Sequence, residues 1–289
     1  MGSLRDPVSL PLLFNIYVRR LPTASSSPNI QFADDVTKSE ADRDPQQVIH
    51  RLTESFKEVN SFCEERELII NANKTQLILF KIPQKSIPED LQIVLDRTTV
   101  APSPHVKLLG VTLDRHLTFR DHIDGVVKKC NGVVGMLARA APYMPKELLR
   151  TAYIALVRSH LEYASAAFMS ASSTQMKKLD TVQRIASRVI CRVPRDTHSE
   201  PLLTALRLDS LEARRNAHAI QIVEAILSGN THPALTSMFT RDNDGRAENS
   251  NTARIQLGNR RFSSFAKNIY NGSIALPSLP PLPPAARLG

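Results

Sequence analysis

The sequence predicts a mixed α+β fold, because two hydrophobic patterns occupy different parts of the chain. Up to residue 114, short apolar runs of strand length are separated by turn-forming residues and by one amphipathic helical segment. Beyond residue 114, apolar residues recur at helical spacing, which predicts helices that pack through short loops. We therefore expect antiparallel strands plus a helix over 1–114, a helical region over 115–228, and a loosely structured region over 229–289 with a proline-rich tail.

The first elements follow from local composition. An apolar run at Leu10–Tyr17 precedes the loop Pro22–Pro28, and the segment NIQFADDV then leads into the adjacent carboxylates of Asp34 and Asp35. Helical spacing that starts at a proline, which suits a first helical turn, predicts a helix over about Pro45–Glu67. Three strand candidates come next: Leu68–Ile70 leading into Gln76–Phe80, then Leu91–Asp96, then Val106–Leu113.

Four amphipathic helices are predicted after residue 114, each from one apolar stripe. The first stripe consists of Ile123, Val126, Val127, Cys130, Val133, Val134 and Leu137. The second follows a break at Pro142 and Pro145 and consists of Leu148, Leu149, Ala152, Tyr153, Leu156 and Tyr163. The third consists of Met176, Leu179, Val182, Ile185 and Val189, and it ends at Pro194. The fourth runs from about Pro201 to Leu227.

Composition sets the class of protein. Of the 289 residues, 42% are apolar, which is enough for a buried core and excludes wholesale disorder. No apolar run approaches the ~20 residues of a membrane helix, and the N-terminus lacks a signal-peptide apolar region. We therefore expect an intracellular protein, nuclear or cytoplasmic, that has no membrane partner. Cys63, Cys130 and Cys191 lie far apart without a CxxC motif, which argues against a disulfide scaffold or a zinc ribbon.

Positive charge is concentrated in the second part of the chain. Residues 1–100 hold 12 basic and 14 acidic side chains, whereas residues 101–289 hold 25 and 14, so the two parts carry net charges of −2 and +11. A local excess of this size favours a polyanionic partner, most often nucleic acid. A basic face that serves only solubility remains the alternative.

The third predicted helix carries a row of these cations. They follow one another at spacings of seven, four, four and three residues, opposite the face of Leu179, Val182 and Ile185. Such a row can follow a line of phosphates, and a merely solvated helix face is the alternative. The row, which we call the cation row, consists of Lys177, Arg184, Arg188, Arg192 and Arg195.

Two small groups of side chains are candidates for chemistry. Adjacent carboxylates such as Asp34 and Asp35 can bind a hard cation, Mg²⁺ in particular, although this dipeptide is also common on solvated surfaces. Asp114, His116 and His122 could form a metal site or an acid–base pair, or His122 could pack or cap at a helix start.

Several motifs of this chain occur in a characteristic order. This order resembles that of the reverse transcriptases of non-LTR retrotransposons, jockey-like elements especially, over nearly all of 9–277. The motifs are, in turn, FADD at 32–35, a helix, INANKTQLILF at 70–80, VKLLGVTLDRHLTFRDHI at 106–123, LLRTAYIALVRSHLEYASAAF at 148–168 and LDTVQRIASRVI at 179–190.

The resemblance implies a fold, an activity and a set of roles. It corresponds to the second half of a polymerase palm, followed by a helical thumb, in an RNA-directed DNA polymerase that binds an RNA–DNA or DNA primer–template. It makes Asp34 and Asp35 the acidic pair that holds Mg²⁺ for two-metal nucleotidyl transfer. It makes Lys74 a proton donor to the leaving pyrophosphate, and it places Leu109 and Gly110 in the hairpin that grips the primer terminus.

The chain departs from that family in two places. The family's other essential aspartate lies in an earlier strand, and residues 1–31 contain only Asp6 as an acid. After the acidic pair the family has an apolar strand, where this chain has the polar stretch Thr37–Glu40. We therefore expect a fragment that binds nucleic acid but is catalytically incomplete on its own. The alternative is a non-catalytic module that associates with another protein through exposed apolar surface, or a relic without function.

Overall fold

The computed structural model of the chain describes residues 9–22, 29–81, 91–95, 98–231, 235, 239–241 and 247–249. The chain divides into two compact units, which we call the N-terminal unit (Met1–Val106) and the C-terminal unit (Lys107–Gly289). Helices and short strand pairs confirm the predicted α+β class. Most of the predicted loop Pro22–Pro28, and the proline-rich tail, lie outside the described residues. The predicted domain boundaries at 114 and 228 stay a prediction.

The N-terminal unit contains antiparallel strand pairs and one long helix. Its described elements are α1 (Ser9–Tyr17), β1 (Asn29–Phe32), β2 (Asp35–Lys38), α2 (Pro45–Glu64), a 3-10 turn (Ala72–Lys74), β3 (Ile93–Leu95) and β4 (Thr98–Val100). β1 pairs with β2, and β3 pairs with β4. The polar composition after Asp35 does not prevent β2, whose Lys38 ammonium group donates a hydrogen bond to the Ser55 hydroxyl of α2.

Both ends of α2 have a local cause. Asp44 caps the first turn, because its carboxylate accepts a hydrogen bond at 3.0 Å from the backbone N–H two residues later. The helix ends at Glu64, slightly earlier than predicted. At this end Glu67 adopts a left-handed φ of 56°, and the Leu68 N–H bonds back to the Cys63 carbonyl at 2.9 Å. This pair of features closes the helix and directs the chain away from it.

The first of the three predicted strands does not form in either of its halves within the described part of the N-terminal unit. Leu68–Ile70 joins no strand pair, and Gln76–Phe80 contributes one isolated bridge, between Leu77 and Pro102. Leu77 is nevertheless buried against α2, in a small core. Its buried partners there are Ile49, Leu91 and Ile93. Packing, rather than a ladder of hydrogen bonds, therefore explains the apolar pattern of 76–80. The next predicted strand forms as β3, and Asp96 lies outside the described residues.

The C-terminal unit is mainly helical. Its described elements are β5 (His105–Leu108, which begins at the unit boundary), β6 (Val111–Asp114), α3 (Arg120–Ala140), a 3-10 turn (Ala141–Tyr143), α4 (Lys146–Tyr153), a π-helical segment (Ile154–Arg158), α5 (Ser159–Glu162), α6 (Ser165–Phe168), α7 (Ser173–Cys191), α8 (Ser199–Ala205), α9 (Leu211–Leu227), β7 (Phe239–Arg241) and β8 (Ala247–Asn249). β5 pairs with β6, so the predicted strand Val106–Leu113 is a hairpin. β7 and β8 form an antiparallel pair.

A large apolar core unites the helices of this unit. α3 and α7 make the most extensive contact between its elements. Ile123 and Cys130 of α3 are fully buried there, together with Leu179 of α7. The first predicted stripe is confirmed, because all seven of its residues lie in this core or pack against it.

The second predicted stripe is wrong at three positions. Its members Leu148, Leu156 and Tyr163 are about half exposed. The buried row consists instead of Leu149, Tyr153, Val157 and Leu161. Leu148 lies on the exposed flank of the regular helix α4, and Tyr163 follows the end of α5. Beyond Tyr153 the π-helical segment shifts the register, because the Ser159 N–H bonds to the Ile154 carbonyl five residues earlier. Four residues of a regular α-helix turn through more than 360°, so residues spaced by four drift slowly around the helix. The wider π-helical turn offsets this drift, and residues spaced by four stay on the buried face.

The third predicted stripe is wrong at Ile185, which is 40% exposed. The buried face of α7 includes Leu179, Val182, Ala186 and Ile190. Because each residue of a helix turns by about 100°, Ile185 lies beside this face rather than within it. Gln183 and Ser187 are buried on the opposite flank, where a polar residue was not expected to face inward.

The fourth predicted helix is in fact two helices. α8 ends where Arg207 adopts a left-handed φ of 50°, and α9 starts after Ser210, whose hydroxyl accepts a hydrogen bond from the Ala213 N–H. The buried Gln183 side chain of α7 holds this junction. Its amide donates to the Asp209 carbonyl at 2.9 Å and accepts from the first N–H of α9 at 3.2 Å.

Among the helices that the structure describes, none combines the length and the apolar character that a bilayer crossing requires.

Substitution of two adjacent leucines of α4 distinguishes the contribution of burial to stability from that of helix propensity. Leu149 is 0% exposed and Leu148 is 50% exposed. We expect Leu149→Ala to lower the free energy of unfolding by about 2–5 kcal/mol, because it removes buried methyl groups and leaves a cavity. Leu148→Ala makes the same change of propensity and should cost less than about 1 kcal/mol. Urea unfolding followed by circular dichroism measures both, and equal losses would contradict the observed register of α4.

Candidate functional site

The two predicted metal-binding carboxylates lie at the tip of the β1–β2 hairpin. Phe32 pairs with Asp35 across a turn of Ala33 and Asp34, and Ala33 has a left-handed φ of 53°. Both carboxylates are exposed. Within the described residues, no group of three or more His, Cys, Asp or Glu side chains is arranged to hold a metal ion. The hairpin thus offers two oxygen ligands and no third, so Mg²⁺ binding stays a prediction and we derive no step through a metal.

Lys74 is the last residue of the 3-10 turn that follows α2. Its backbone N–H bonds to the Asn71 carbonyl at 3.0 Å, and its side chain is exposed. No hydrogen bond or ion pair joins it to Asp34 or Asp35 among the described residues. Its role as a proton donor therefore remains an expectation from the resemblance.

Leu109 and Gly110 form the two-residue turn between β5 and β6. Their φ angles are 44° and 85°, and positive values at both central residues define the tight hairpin turn that suits the twist of paired strands. Tyr163 holds this turn: its hydroxyl donates to the Leu109 carbonyl at 2.9 Å. A Cβ added to Gly110 would lie 3.3 Å from Cε1 of the same ring. Glycine is therefore required here both for its φ and for the close approach of the tyrosine.

Asp114 connects this hairpin to α3. Its carboxylate accepts hydrogen bonds from the N–H groups of His116 (3.0 Å), Thr118 (3.1 Å) and Phe119 (2.7 Å), and from the Thr118 hydroxyl (3.0 Å). Burial alone would raise the pKa of Asp114, but these donors together outweigh it, and that pKa is lowered. Because both oxygens accept hydrogen bonds from the loop that precedes α3, Asp114 acts as a structural residue and not as a metal ligand.

His122 packs at the start of α3, as the packing alternative predicted. Its buried ring lies 5.2 Å from the ring of Phe168, and its Nδ1 is 3.4 Å from the Thr112 nitrogen, which donates to it. Burial lowers the pKa of His122, so the neutral imidazole is favoured. His122 therefore belongs to the helix-start packing and forms no acid–base pair with Asp114.

The cation row divides into two kinds of side chain. Arg188 and Arg192 bind backbone carbonyls: Arg188 Nε donates to Thr197 at 2.8 Å, and Arg192 Nη2 donates to Met144 at 2.5 Å. These two arginines fasten the C-terminal end of α7 to the chain segments beside it. They remain cations, but part of their hydrogen-bonding capacity serves the fold.

The other members of the cation row are exposed and use little of their hydrogen-bonding capacity within the fold. Lys177 and Arg195 are exposed and have no side-chain hydrogen bond or ion pair with any residue that the structure describes. Arg184 is exposed as well, and among the described residues it donates only to the Thr181 hydroxyl of its own helix, at 2.7 Å. Between 107 and 231 the chain has 18 basic and 11 acidic side chains, so the described helical region keeps a clear excess of positive charge.

Exposed apolar side chains occur on the N-terminal unit. Ile30 and Phe32 of β1 are each 63% exposed, and Leu12 and Ile16 of α1 are exposed to a similar degree. These faces match the expected apolar surface for association with another chain.

Two residues that support the site were not recognised as such from the sequence. Tyr163 was assigned to an apolar stripe, and Asp114 to a possible metal group. For Asp114 the available signal was the sequence D-x-x-x-T between a strand and a helix, since an Asp side chain in a turn often accepts hydrogen bonds from backbone N–H groups a few residues later. For Tyr163 no local signal exists, because its partner lies 54 residues away.

Comparison with known proteins gives a distant relative. The chain is similar to the probable RNA-directed DNA polymerase from transposon BS of Drosophila melanogaster, with 22% identity over 228 residues. The match covers 75% of this chain and 25% of that protein, so the chain spans about a quarter of the length of the curated relative. No family model matches the chain. No solved structure matches it either.

Asp114 should make the C-terminal unit sensitive to acid. A carboxyl with a lowered pKa in the folded state contributes stability that is present above its unfolded pKa of about 4 and is lost as the pH falls through the folded value. We expect Asp114→Asn to cost about 1–2 kcal/mol of unfolding free energy near neutral pH, and the difference from the wild type to shrink below about pH 4. Urea unfolding at several pH values measures this.

The control for that substitution is Asp196→Asn. Asp196 is exposed in the same unit and makes no side-chain hydrogen bond to the described residues. A constant difference between Asp114→Asn and the wild type from pH 7 to pH 3 would show that the charge of the carboxylate does not matter.

Proposed function

We propose that this chain is a fragment of an RNA-directed DNA polymerase from a non-LTR, jockey-like retrotransposon, and that it binds nucleic acid through its C-terminal unit. The observation that carries the proposal is the exposed turn of Leu109 and Gly110, held by Tyr163. A rigid turn at this place is what the resemblance requires for contact with a primer terminus. The similarity to a transposon polymerase supports the same assignment. In this proposal the N-terminal unit belongs to the palm and the helices of the C-terminal unit form the thumb.

Binding in this proposal is electrostatic. Lysine and arginine side chains that neutralise phosphates release condensed counterions, so the affinity falls as salt rises. The exposed side chains of Lys177, Arg184 and Arg195 have donors available for this contact. Arg188 and Arg192 contribute their charge while they keep the end of α7 in place.

We propose that this chain does not catalyse nucleotidyl transfer on its own. Two-metal nucleotidyl transfer needs carboxylates from more than one strand, and the β1–β2 hairpin supplies only Asp34 and Asp35. Residues 1–31 contain no counterpart of the family's other aspartate. A bound Mg²⁺ would supply activation of the primer hydroxyl, and the two exposed carboxylates would be its ligands from this chain.

Association with another protein is a second candidate function. The exposed Ile30 and Phe32 side chains on β1 favour it, because soluble proteins rarely leave contiguous apolar surface uncovered without a binding role. This candidate predicts a mass in solution above 32.1 kDa that does not depend on nucleic acid.

Removal of the exposed cations Lys177, Arg184 and Arg195 should weaken nucleic-acid binding in a salt-dependent way. We expect the triple variant Lys177→Gln, Arg184→Gln, Arg195→Gln to reduce the slope of log affinity against log salt by about 2–3 on duplexes, because each phosphate contact contributes about 0.9. Fluorescence anisotropy with an RNA–DNA hybrid across a salt series measures the slope. These three positions are preferable to Arg188 and Arg192, whose removal would also disturb the fold.

The charge-matched control is the triple variant Arg19→Gln, Arg20→Gln, Lys57→Gln, which removes three exposed cations from the N-terminal unit. It should keep the wild-type slope. Equal slopes for both triple variants would show that only net charge matters. Absence of wild-type binding at low salt, together with an oligomeric mass, would favour protein association instead.

Polymerase activity should be undetectable for this chain. We expect no extension of a DNA primer on an RNA template with Mg²⁺ and nucleotides, because the described residues offer no third metal ligand. Denaturing gel electrophoresis of the labelled primer measures extension. Extension that Asp34→Ala abolishes would contradict catalytic incompleteness and would identify the hairpin carboxylates as catalytic.

A further inference from the structure

Tyr143 is the most exposed large apolar side chain that the structure describes in the C-terminal unit. It is 87% exposed, at the end of the 3-10 turn between α3 and α4. Its side chain has no hydrogen bond to the described residues. A single exposed aromatic residue is ordinary on a protein surface. Tyr143 differs from an ordinary exposed aromatic residue in the restrained backbone that carries it and in the cation row attached beside it.

The backbone around Tyr143 is fixed on both sides. Pro142 precedes it and Pro145 follows two residues later, and a proline ring locks φ. Between them, the Met144 carbonyl accepts a hydrogen bond from Arg192 Nη2 at 2.5 Å. Tyr143 therefore projects from a restrained segment, and little backbone conformational entropy would be lost if its ring made a contact.

Arg192 itself occupies an unusual backbone conformation. It ends α7 with a φ of 56°, a region that favours glycine, and the Val193 N–H bonds back to the Arg188 carbonyl at 3.1 Å. The arginine side chain at this position is what reaches Met144. The end of the cation row is thus attached directly to the residue next to Tyr143.

An aromatic ring at the end of a row of cations is the arrangement that holds single strands of nucleic acid. In such surfaces the cations follow the phosphates, and a ring stacks on a base, since every base has a flat face. Ile185 adds exposed apolar surface between Arg184 and Arg188 on the helix. In a duplex the bases already stack on one another and offer no free face away from the ends. The ligand must therefore present an unpaired base.

We propose that Tyr143 is a base-stacking residue, which binds an unpaired base of a single-stranded nucleic acid whose phosphates lie along the cation row. This inference rests on the proposed nucleic-acid binding and deepens it. It assigns a contact to the base, separate from the contacts to the phosphates.

The test compares single-stranded and blunt-ended duplex oligonucleotides by fluorescence anisotropy, using the full chain. We expect Tyr143→Ala to weaken binding of the single strand by about 5- to 150-fold, the range that stacking of one base corresponds to. Tyr143→Phe, which keeps the ring, should bind like the wild type. Leu148→Ala, a change at an exposed apolar residue on the neighbouring helix, is the matched control and should also bind like the wild type.

Two further measurements distinguish stacking from charge. The loss caused by Tyr143→Ala should be the same at every salt concentration, because a stacked base releases no counterions. On a single strand of abasic sites, the wild type and Tyr143→Ala should bind equally. An equal loss on the blunt duplex and the single strand, or a loss that persists on the abasic strand, would overturn the proposal.

Failure of this inference differs from failure of the proposed function. If the wild type binds no nucleic acid at low salt, the proposed function fails and the inference fails with it. If the wild type binds with a steep salt dependence but Tyr143→Ala binds the single strand equally well, only the stacking role is refuted. Equal urea unfolding midpoints for the wild type and Tyr143→Ala would establish that any loss arises from the binding surface.

Discussion

The packing of α3 against α7 is the contact on which the C-terminal unit depends. α3 contributes Ile123 and Cys130 to this core and α7 contributes Leu179, all fully buried. Each candidate feature of the C-terminal unit is attached to one of these two helices. The Asp114 carboxylate joins the end of the β5–β6 hairpin to Phe119, the residue before α3, and the cation row lies on α7 and just beyond it. A surface made of side chains from both helices can keep its spacing only while the core between them is intact.

The sequence predicted those parts of the fold that depend on local pattern. The stripe of α3 and the start of α2 were correct, because helical periodicity and a proline in the first helical turn act within a few residues. The exposure of Leu156 could not be predicted, since no sequence signal marks the π-helical turn that shifts the buried row to Val157 and Leu161. The missing strand at Gln76–Phe80 has a similar origin: its apolar residues satisfy a core without a strand partner. The break between α8 and α9 occurs at Arg207, where no glycine or proline marks it.

For the candidate site residues, the sequence indicated where they lie better than what each of them does. The resemblance placed Leu109 and Gly110 in a hairpin, which the structure contains, but their position at its turn was not predicted, and the tyrosine that supports the turn comes from a distant segment. The cation row was visible as a spacing of charges. Some of its arginines bind backbone carbonyls, whereas its other side chains stay exposed to solvent. This difference depends on neighbours such as Thr197 and Met144, which the spacing of charges along α7 does not identify. The roles of Asp34, Asp35 and Lys74 still rest on the resemblance alone.

The support of the turn by Tyr163 also has a consequence for the order of folding. A β-hairpin closes in about 1–10 μs, because its two strands are adjacent in sequence, but a two-stranded hairpin is only marginally stable until it packs against other elements. The Tyr163 hydroxyl and the Leu109 carbonyl are separated by 54 residues, and all of α3 and α4 lies between them. Contacts of such long sequence separation are made after the intervening helices have docked, since closing the loop costs entropy first. The hairpin is thus an early element of folding, and its final, tyrosine-locked geometry is a late one.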